Sequence, residues 1–303
     1  MNAKKLTFGF YLMSCKGFEV LKIVLENIDA NQIKYVVSSK DINVEKDWYN
    51  EIKSLTEKNN IVFYNAKEKF NDNVTYRFAI SWKWIIPDVM NLIIIHDSLL
   101  PKYRGFSPIV TALLNEDTTI GATALFANES YDTGPIIFQK SLTIKYPIKL
   151  IEVFKSISLI YCEIVLHIIN RLNEKADLQV KVQDNKEATY SLWRDDFDYL
   201  IDWRNSSTYN KRFIDSIGFP YKGASTYMNN ELIRIYDATE IEDVNIEIRD
   251  IGKVVFIKDG FPVVVCNKGL LLLKEAVFEE TKKSIFPIKN VRTRFKTHKY
   301  DYI

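Results

Sequence analysis

His96 follows four consecutive apolar residues, Leu92-Ile93-Ile94-Ile95, and precedes Asp97-Ser98-Leu99-Leu100-Pro101-Lys102-Tyr103-Arg104-Gly105. An imidazole is the side chain whose ordinary titration lies nearest neutral pH. Here a proline-fixed turn carries a lysine and an arginine close behind it. That combination suits proton transfer beside an anionic ligand. Taken alone, a histidine at a strand end more often just bonds a neighbouring carbonyl, so its company decides. Two further stretches supply that company: Gly121-Ala122-Thr123-Ala124, and Asp132-Thr133-Gly134-Pro135-Ile136-Ile137-Phe138-Gln139. An aspartate before Thr-Gly-Pro is, by itself, ordinary turn chemistry.

The elements that must hold these residues read as strand, turn and helix in alternation. Residues 6–12 are an apolar run, and residues 18–27 have helical spacing. Residues 33–38, 61–64, 76–82 and 91–96 read as strands, and residues 48–59 as a helix. The last of these strands has the unbroken apolar character of one buried on both faces. The pattern predicts an α/β domain with a mostly parallel twisted sheet and helices on both faces. Ligands gather at the carboxyl ends of strands in such sheets, which is where His96 falls. A long helix is expected over residues 150–172, then a polar connection over 173–189. Beyond it, short apolar runs at 232–237, 252–258, 261–267 and 269–275 alternate with Asp-Gly and Asn-Lys-Gly turn signals, as in a small antiparallel, barrel-like β domain. The boundary is placed near residue 188, giving domains 1–188 and 189–303.

The bulk numbers bound the reading. A chain of 303 residues, 47% hydrophobic and 26% charged, can bury a full core. Its formal net charge of +2 gives no whole-chain reason to expect nucleic acid, although the basic tail over 289–299 is a local exception. The three cysteines, Cys15, Cys162 and Cys266, are far apart in apolar surroundings, which argues for free thiols and against a metal site. The longest apolar stretch, 157–169, is broken by Tyr161, Glu163 and His167 and falls short of the ~20 residues a membrane span needs. A cytoplasmic protein without a signal peptide or membrane association is expected. Neither GxxxxGK[ST] nor GxGxxG occurs, so P-loop and nicotinamide chemistry are disfavoured.

The ordered set H-x-S-L-L-P-x-Y-R-G, G-x-T and D-x-G-x-I-x-x-Q resembles the formyltetrahydrofolate-dependent formyltransferases. These include the methionyl-tRNA, glycinamide ribonucleotide and nucleotide-linked amino sugar branches. The likeness is strongest over residues 78–140. It extends to Asp202-Trp203, to Phe219-Pro220-Tyr221-Lys222-Gly223-Ala224 and to hairpins near Gly252 and Gly269, which look like the small C-terminal domain of the tRNA and amino-sugar branches. It implies a formyl transfer from N10-formyltetrahydrofolate, without metal, with His96 and Asp132 at the reaction centre. The aspartate would orient the imidazole, and the histidine would manage the proton and the developing oxyanion.

One member of the family's Asn-His-Asp set is missing. The asparagine belongs two residues before the histidine, where this chain has Ile94, and losing one oxyanion donor typically costs ~10²–10³ in rate. Three readings stay open: Ser98, a backbone N–H or a water replaces the amide; the chain is a slow or inactive relative that still binds its ligands; or the position has been altered. A second departure places Leu125 where the family often has a histidine. For the donor, the resemblance points to Trp82, Trp84, Ile85 and Ile86 on one side and to Asn128 and Asp132 on the other. For the acceptor, Lys16, Lys102, Tyr103, Arg104, Trp193 and Arg194 are the candidates. The likeness of Tyr11 to Gly17 and Ser81 to Trp84 to the amino-sugar branch favours a dTDP- or UDP-linked amino deoxysugar, used in surface polysaccharide synthesis. Initiator tRNA is the alternative acceptor, a ligand-binding protein without turnover is the non-enzyme alternative, and a homodimer is left open.

Overall fold

The structure, a computed structural model, describes residues 6–299 and divides into two compact units. The first runs from the start of the described chain to Ala112 and adds Asp117–Ile144 and Glu152–Trp193. The second holds Leu113–Glu116, Lys145–Ile151 and the described chain from Arg194 onward.

The first unit is built on β1 (Phe8–Leu12), α1 (Ser14–Asn27), β2 (Ile33–Ser38), α2 (Tyr49–Lys58), β3 (Val62–Asn65), β4 (Tyr76–Ile80) and β5 (Leu92–His96). It continues through β6 (Arg104–Gly105), α3 (Pro108–Leu114), β7 (Thr119–Phe126), β8 (Ile136–Thr143), α4 (Leu150–Asn173) and β9 (Tyr190–Ser191). Seven strands form one sheet in the order β3-β2-β1-β4-β5-β7-β8. The strands from β3 across to β5 pair in parallel, whereas β7 and β8 run antiparallel to their neighbours. The chain moves outward from β1 to β3 and returns at β4 on the other side of β1. The carboxyl ends of β1 and β4 therefore flank the point where strand order reverses, the usual ligand crevice of such sheets.

Burial along β5 explains how His96 is presented. Ile93 and Ile95 are buried, and the Tyr161 hydroxyl oxygen of α4 lies 3.0 Å from the Ile95 carbonyl. Leu92 points to the opposite face from these two and packs with Tyr11, Tyr35, Val37 and Ala79. That face is closed by Phe70, Val74, Trp82 and Ile86 from the β3–β4 and β4–β5 connections. Helix α4 buries Val153, Phe154, Ile157, Ile160, Tyr161, Ile164, Val165 and Ile168, a stripe at three- and four-residue spacing. Each such aliphatic side chain contributes about 1.5–3 kcal/mol on full burial. Strand β4 stops at Ile80, two residues before the expected end, because Ser81 turns to a positive φ of 53°.

The second unit contains α5 (Ser207–Ser216) and the strands β10 (Ala224–Met228), β11 (Glu231–Ile241), β12 (Val254–Lys258), β13 (Phe261–Val265), β14 (Leu270–Phe278) and β15 (Phe295–Lys296). They form an antiparallel sheet in the order β12-β13-β14-β11-β10-β15. Trp203 is buried and its indole N–H donates to Thr226 Oγ1 at 3.0 Å. Ser206 caps α5 by accepting from the Tyr209 amide. Among the described residues no helix is long and apolar enough to cross a membrane.

Candidate active site

The imidazole of His96 is held at Nε2 and faces a carboxylate at Nδ1. Its Nε2 lies 2.8 Å from the Tyr103 carbonyl. A carbonyl only accepts, so Nε2 is the donor in this contact. Nδ1 faces Asp132 Oδ1 at 3.5 Å, and the two side chains are only 8% and 13% exposed. The other carboxylate oxygen, Oδ2, accepts from the Gly105 amide at 2.8 Å. Gly105 is required there: its φ is +100°, and a Cβ would lie 2.6 Å from the Ser191 carbonyl oxygen. Asp132 itself adopts a positive φ of 53°. The arrangement can take a proton at Nδ1 and stabilise the resulting imidazolium with Asp132.

The turn after His96 is tied down by residues of the second and third motifs. Thr123 Oγ1 donates to the Ser98 carbonyl at 2.6 Å and accepts from the Leu100 amide at 3.1 Å. Gln139 Nε2 donates to Thr123 Oγ1 at 2.8 Å and to the Leu100 carbonyl at 2.9 Å. The motif Thr and Gln, which the sequence shows without a role, thus fix the Leu-Leu-Pro turn. Ser98 donates its own hydroxyl to the Lys102 carbonyl at 2.6 Å and is buried, so it does not stand in for the missing amide. Ile94 pairs with Leu125 across β5 and β7 and packs with Leu100, Leu125 and Ile136. The two departures from the family pattern are therefore neighbours, and together they form an apolar wall beside His96.

Three of the four cations expected to meet an acceptor, Lys16, Lys102 and Arg104, already have partners inside the chain. Lys16, 4% exposed, pairs with Asp97 and lies 4.7 Å from the Phe154 ring centroid and 5.3 Å from that of Tyr161. Tyr161 donates to Asp97 Oδ1 at 2.6 Å, and burial beside that carboxylate pushes its phenol well above the usual range, so it stays a donor. Arg104, 2% exposed, gives its Nε and Nη2 to Gln183 Oε1 and its Nη1 to Asn185. Both residues are positioned as internal ties instead of open ligand contacts. Lys102 pairs with Asp117 at 2.8 Å, and Asp117 also accepts from the buried Tyr103 hydroxyl at 3.0 Å. Trp193 is exposed and ends the first unit; Arg194 begins the last stretch of the second, with a buried Nε that has no hydrogen-bond partner.

The donor candidates look different. Trp82 stands edge-on to Tyr11 at 5.2 Å and to Trp84 at 5.0 Å, while Trp84 and Ile85 are exposed and Ile86 packs into the sheet. Ser14 Oγ, Ser81 Oγ and Trp82 Nε1 are buried without any partner. All three follow the carboxyl ends of β1 and β4, and both serines have positive φ, 60° and 53°. Asn128 accepts from the Ser130 amide and the Thr133 hydroxyl, which shapes the loop leading to Asp132. Among the described residues no group of three or more His, Cys, Asp or Glu side chains is placed to hold a metal ion.

Two family models match the chain. The formyl transferase model covers residues 74–152, and the formyl transferase C-terminal domain model covers residues 195–287. The chain belongs to the formyl transferase family. The matched stretches include the whole His96–Asp132 centre and most of the second-unit sheet. A methionyl-tRNA formyltransferase of Coxiella burnetii is 32% identical over 49% of this chain and 47% of its own length. The chain thus spans about half the length of the first curated relatives it matches. Among solved structures, WlaRD, a sugar 3N-formyl transferase crystallised with dTDP and 5-N-formyl-THF, shares the fold with a TM-score of 0.67 at 20% identity, covering 89% of this chain and 97% of that one. The N-formyltransferase from Helicobacter canadensis, in complex with folinic acid and dTDP-3-aminofucose, follows with 0.65 at 18% identity over 89% and 99%. Against the pattern that the sequence resembles, the apolar wall of Ile94 and Leu125 is the departure nearest His96.

Proposed function

We propose that the chain moves a formyl group from N10-formyltetrahydrofolate to the amine of a nucleotide-linked amino deoxysugar, a dTDP- or UDP-sugar used in surface polysaccharide synthesis. The observation that carries the reading is the placement of His96, with Nε2 on the Tyr103 carbonyl and Nδ1 facing Asp132 Oδ1. Nδ1 is then the nitrogen that acts as a base opposite Asp132.

The donor site is tested by its own residues. Trp82, Trp84, Ile85 and Ile86 offer a flat apolar surface, and Ser14, Ser81 and Trp82 offer three buried polar atoms lacking partners. A planar heterocycle rimmed with donors and acceptors fits both features. Asn128 and Asp132 bound the other side. When bound, the folate supplies the activated formyl carbon. His96 Nδ1 takes the proton that the attacking amine loses and holds it beside Asp132 for return to the departing nitrogen. The acceptor amine must arrive neutral.

The sugar acceptor is supported by the match of this chain with nearly the full length of a sugar 3N-formyl transferase and of an N-formyltransferase in complex with dTDP-3-aminofucose, and by the formal charge of only +2. Initiator tRNA is the second reading, favoured by the sequence relatives named as methionyl-tRNA formyltransferases. Steady-state formylation of a dTDP- and UDP-amino-sugar panel, run beside a gel shift with initiator tRNA, separates the two. Turnover on a sugar without a shifted tRNA supports the proposal. A salt-sensitive tRNA complex without sugar turnover overturns it. Tight folate binding with no turnover on either acceptor would make the chain a binding protein.

A further inference from the structure

Gln183 lies between the two matched stretches, in the segment that the sequence presents as a polar connection. Its neighbours Val180 and Val182 are exposed, while Gln183 is 7% exposed. Lys181 fixes the backbone here by exchanging both 2.8 Å hydrogen bonds with Ile136. Gln183 Oε1 accepts from Arg104 Nε at 3.1 Å and Nη2 at 2.8 Å. Its Nε2 donates to the Asp132 carbonyl at 2.9 Å and to the Gly134 carbonyl at 2.7 Å. The residues on either side of Arg104 are those that hold the proton-handling pair: the Tyr103 carbonyl holds His96, and the Gly105 amide holds Asp132.

We propose that Gln183 is the positioning residue that sets the distance between His96 and Asp132. The circuit runs from His96 through Tyr103, Arg104 and Gln183 to Asp132 and closes across the 3.5 Å gap at Nδ1. Only a primary amide places an acceptor and two donors at one side-chain terminus; a carboxylate accepts but does not donate, and an ammonium donates but does not accept. The pattern around residue 183, two donors from Arg104 and two carbonyls from the Asp132 loop, uses that full set. Misplacement of a proton-transfer partner by about 1 Å costs on the order of 10²-fold in rate, so a tie of this kind bears on chemistry and not on ligand affinity.

The inference rests on the reading that His96 and Asp132 move the proton, and its test has a readout independent of turnover. Gln183→Glu keeps the acceptor for Arg104 and loses both donations to the Asp132 loop. The expected result is a kcat lower by about 10- to 100-fold, with KM for donor and acceptor within about twofold. In protein labelled with 15N-histidine, the His96 ring signals, assigned among three histidines by their loss in His96→Asn, should shift or broaden. Unchanged ring signals and kcat, or a lowered Tm alone, would overturn the proposal and leave Gln183 a structural tie. If Gln183→Glu does not fold, Arg104→Lys carries the test, since it removes one side of the same circuit. The same changes are expected there, and their absence overturns the proposal. If the wild type formylates no acceptor, the function reading fails, whereas the ring signals still decide the role of Gln183.

Discussion

At the carboxyl end of β5, His96, Asp132, Ser98 and Thr123 all have hydrogen-bond or ion-pair partners within the chain. At the ends of β1 and β4, Ser14 Oγ, Ser81 Oγ and Trp82 Nε1 are buried and have none. The two regions serve the same sheet and are finished in opposite ways. Proton transfer gains from groups that do not reorganise, so a fully bonded surround lowers the barrier. A ligand site instead must keep its donors uncommitted. Each buried unsatisfied group costs about 1–3 kcal/mol, a penalty that a bound ligand removes. On the proposed function, the contrast separates a place built to react from a place built to receive.

Substitutions at the closed end should change rate without changing donor affinity. His96→Asn is expected to lower turnover by about 10²–10⁴-fold, measured as steady-state formyl transfer. Ile94→Asn should act in the opposite direction, raising kcat by up to about 10²-fold through the restored donor. The same amide enters a wall made by Leu100, Leu125 and Ile136, so Tm should fall, consistent with about 1–3 kcal/mol for a buried amide lacking a partner. An unchanged kcat would show that the apolar wall does not limit the reaction. The open end should show the smallest effect. Ser81→Gly relieves the positive φ of 53° and should stabilise the fold by about 1 kcal/mol, read in a thermal melt. Lower stability would mean that Ser81 makes interactions which the buried, unpartnered hydroxyl does not reveal.

The sequence singles out His96 and Asp132 because both sit in short linear motifs, and the β5 run announces its own burial. The α/β unit and the antiparallel second unit follow from apolar periodicity in the same way. The supports were not legible. Lys16 and Arg104 read as acceptor contacts in sequence, but their partners Asp97 and Gln183 are 81 and 79 residues away. The stretch around Gln183 alternates apolar and polar residues, and ordinary amphipathic logic would bury the valines. The structure does the reverse, because the glutamine finds four polar partners inside. No local rule reports that. Nor does sequence show that Ile94 and Leu125 face each other, since cross-strand register is set by the whole sheet.

The division between the two regions is tested most directly by calorimetric titration of 5-formyltetrahydrofolate into the wild type, His96→Asn and Trp82→Ala proteins. The account predicts that His96→Asn binds within about twofold of wild type, and that Trp82→Ala weakens binding by about tenfold, the loss of an aromatic contact worth about 1.5 kcal/mol. Binding that survives Trp82→Ala unchanged and collapses in His96→Asn would contradict it.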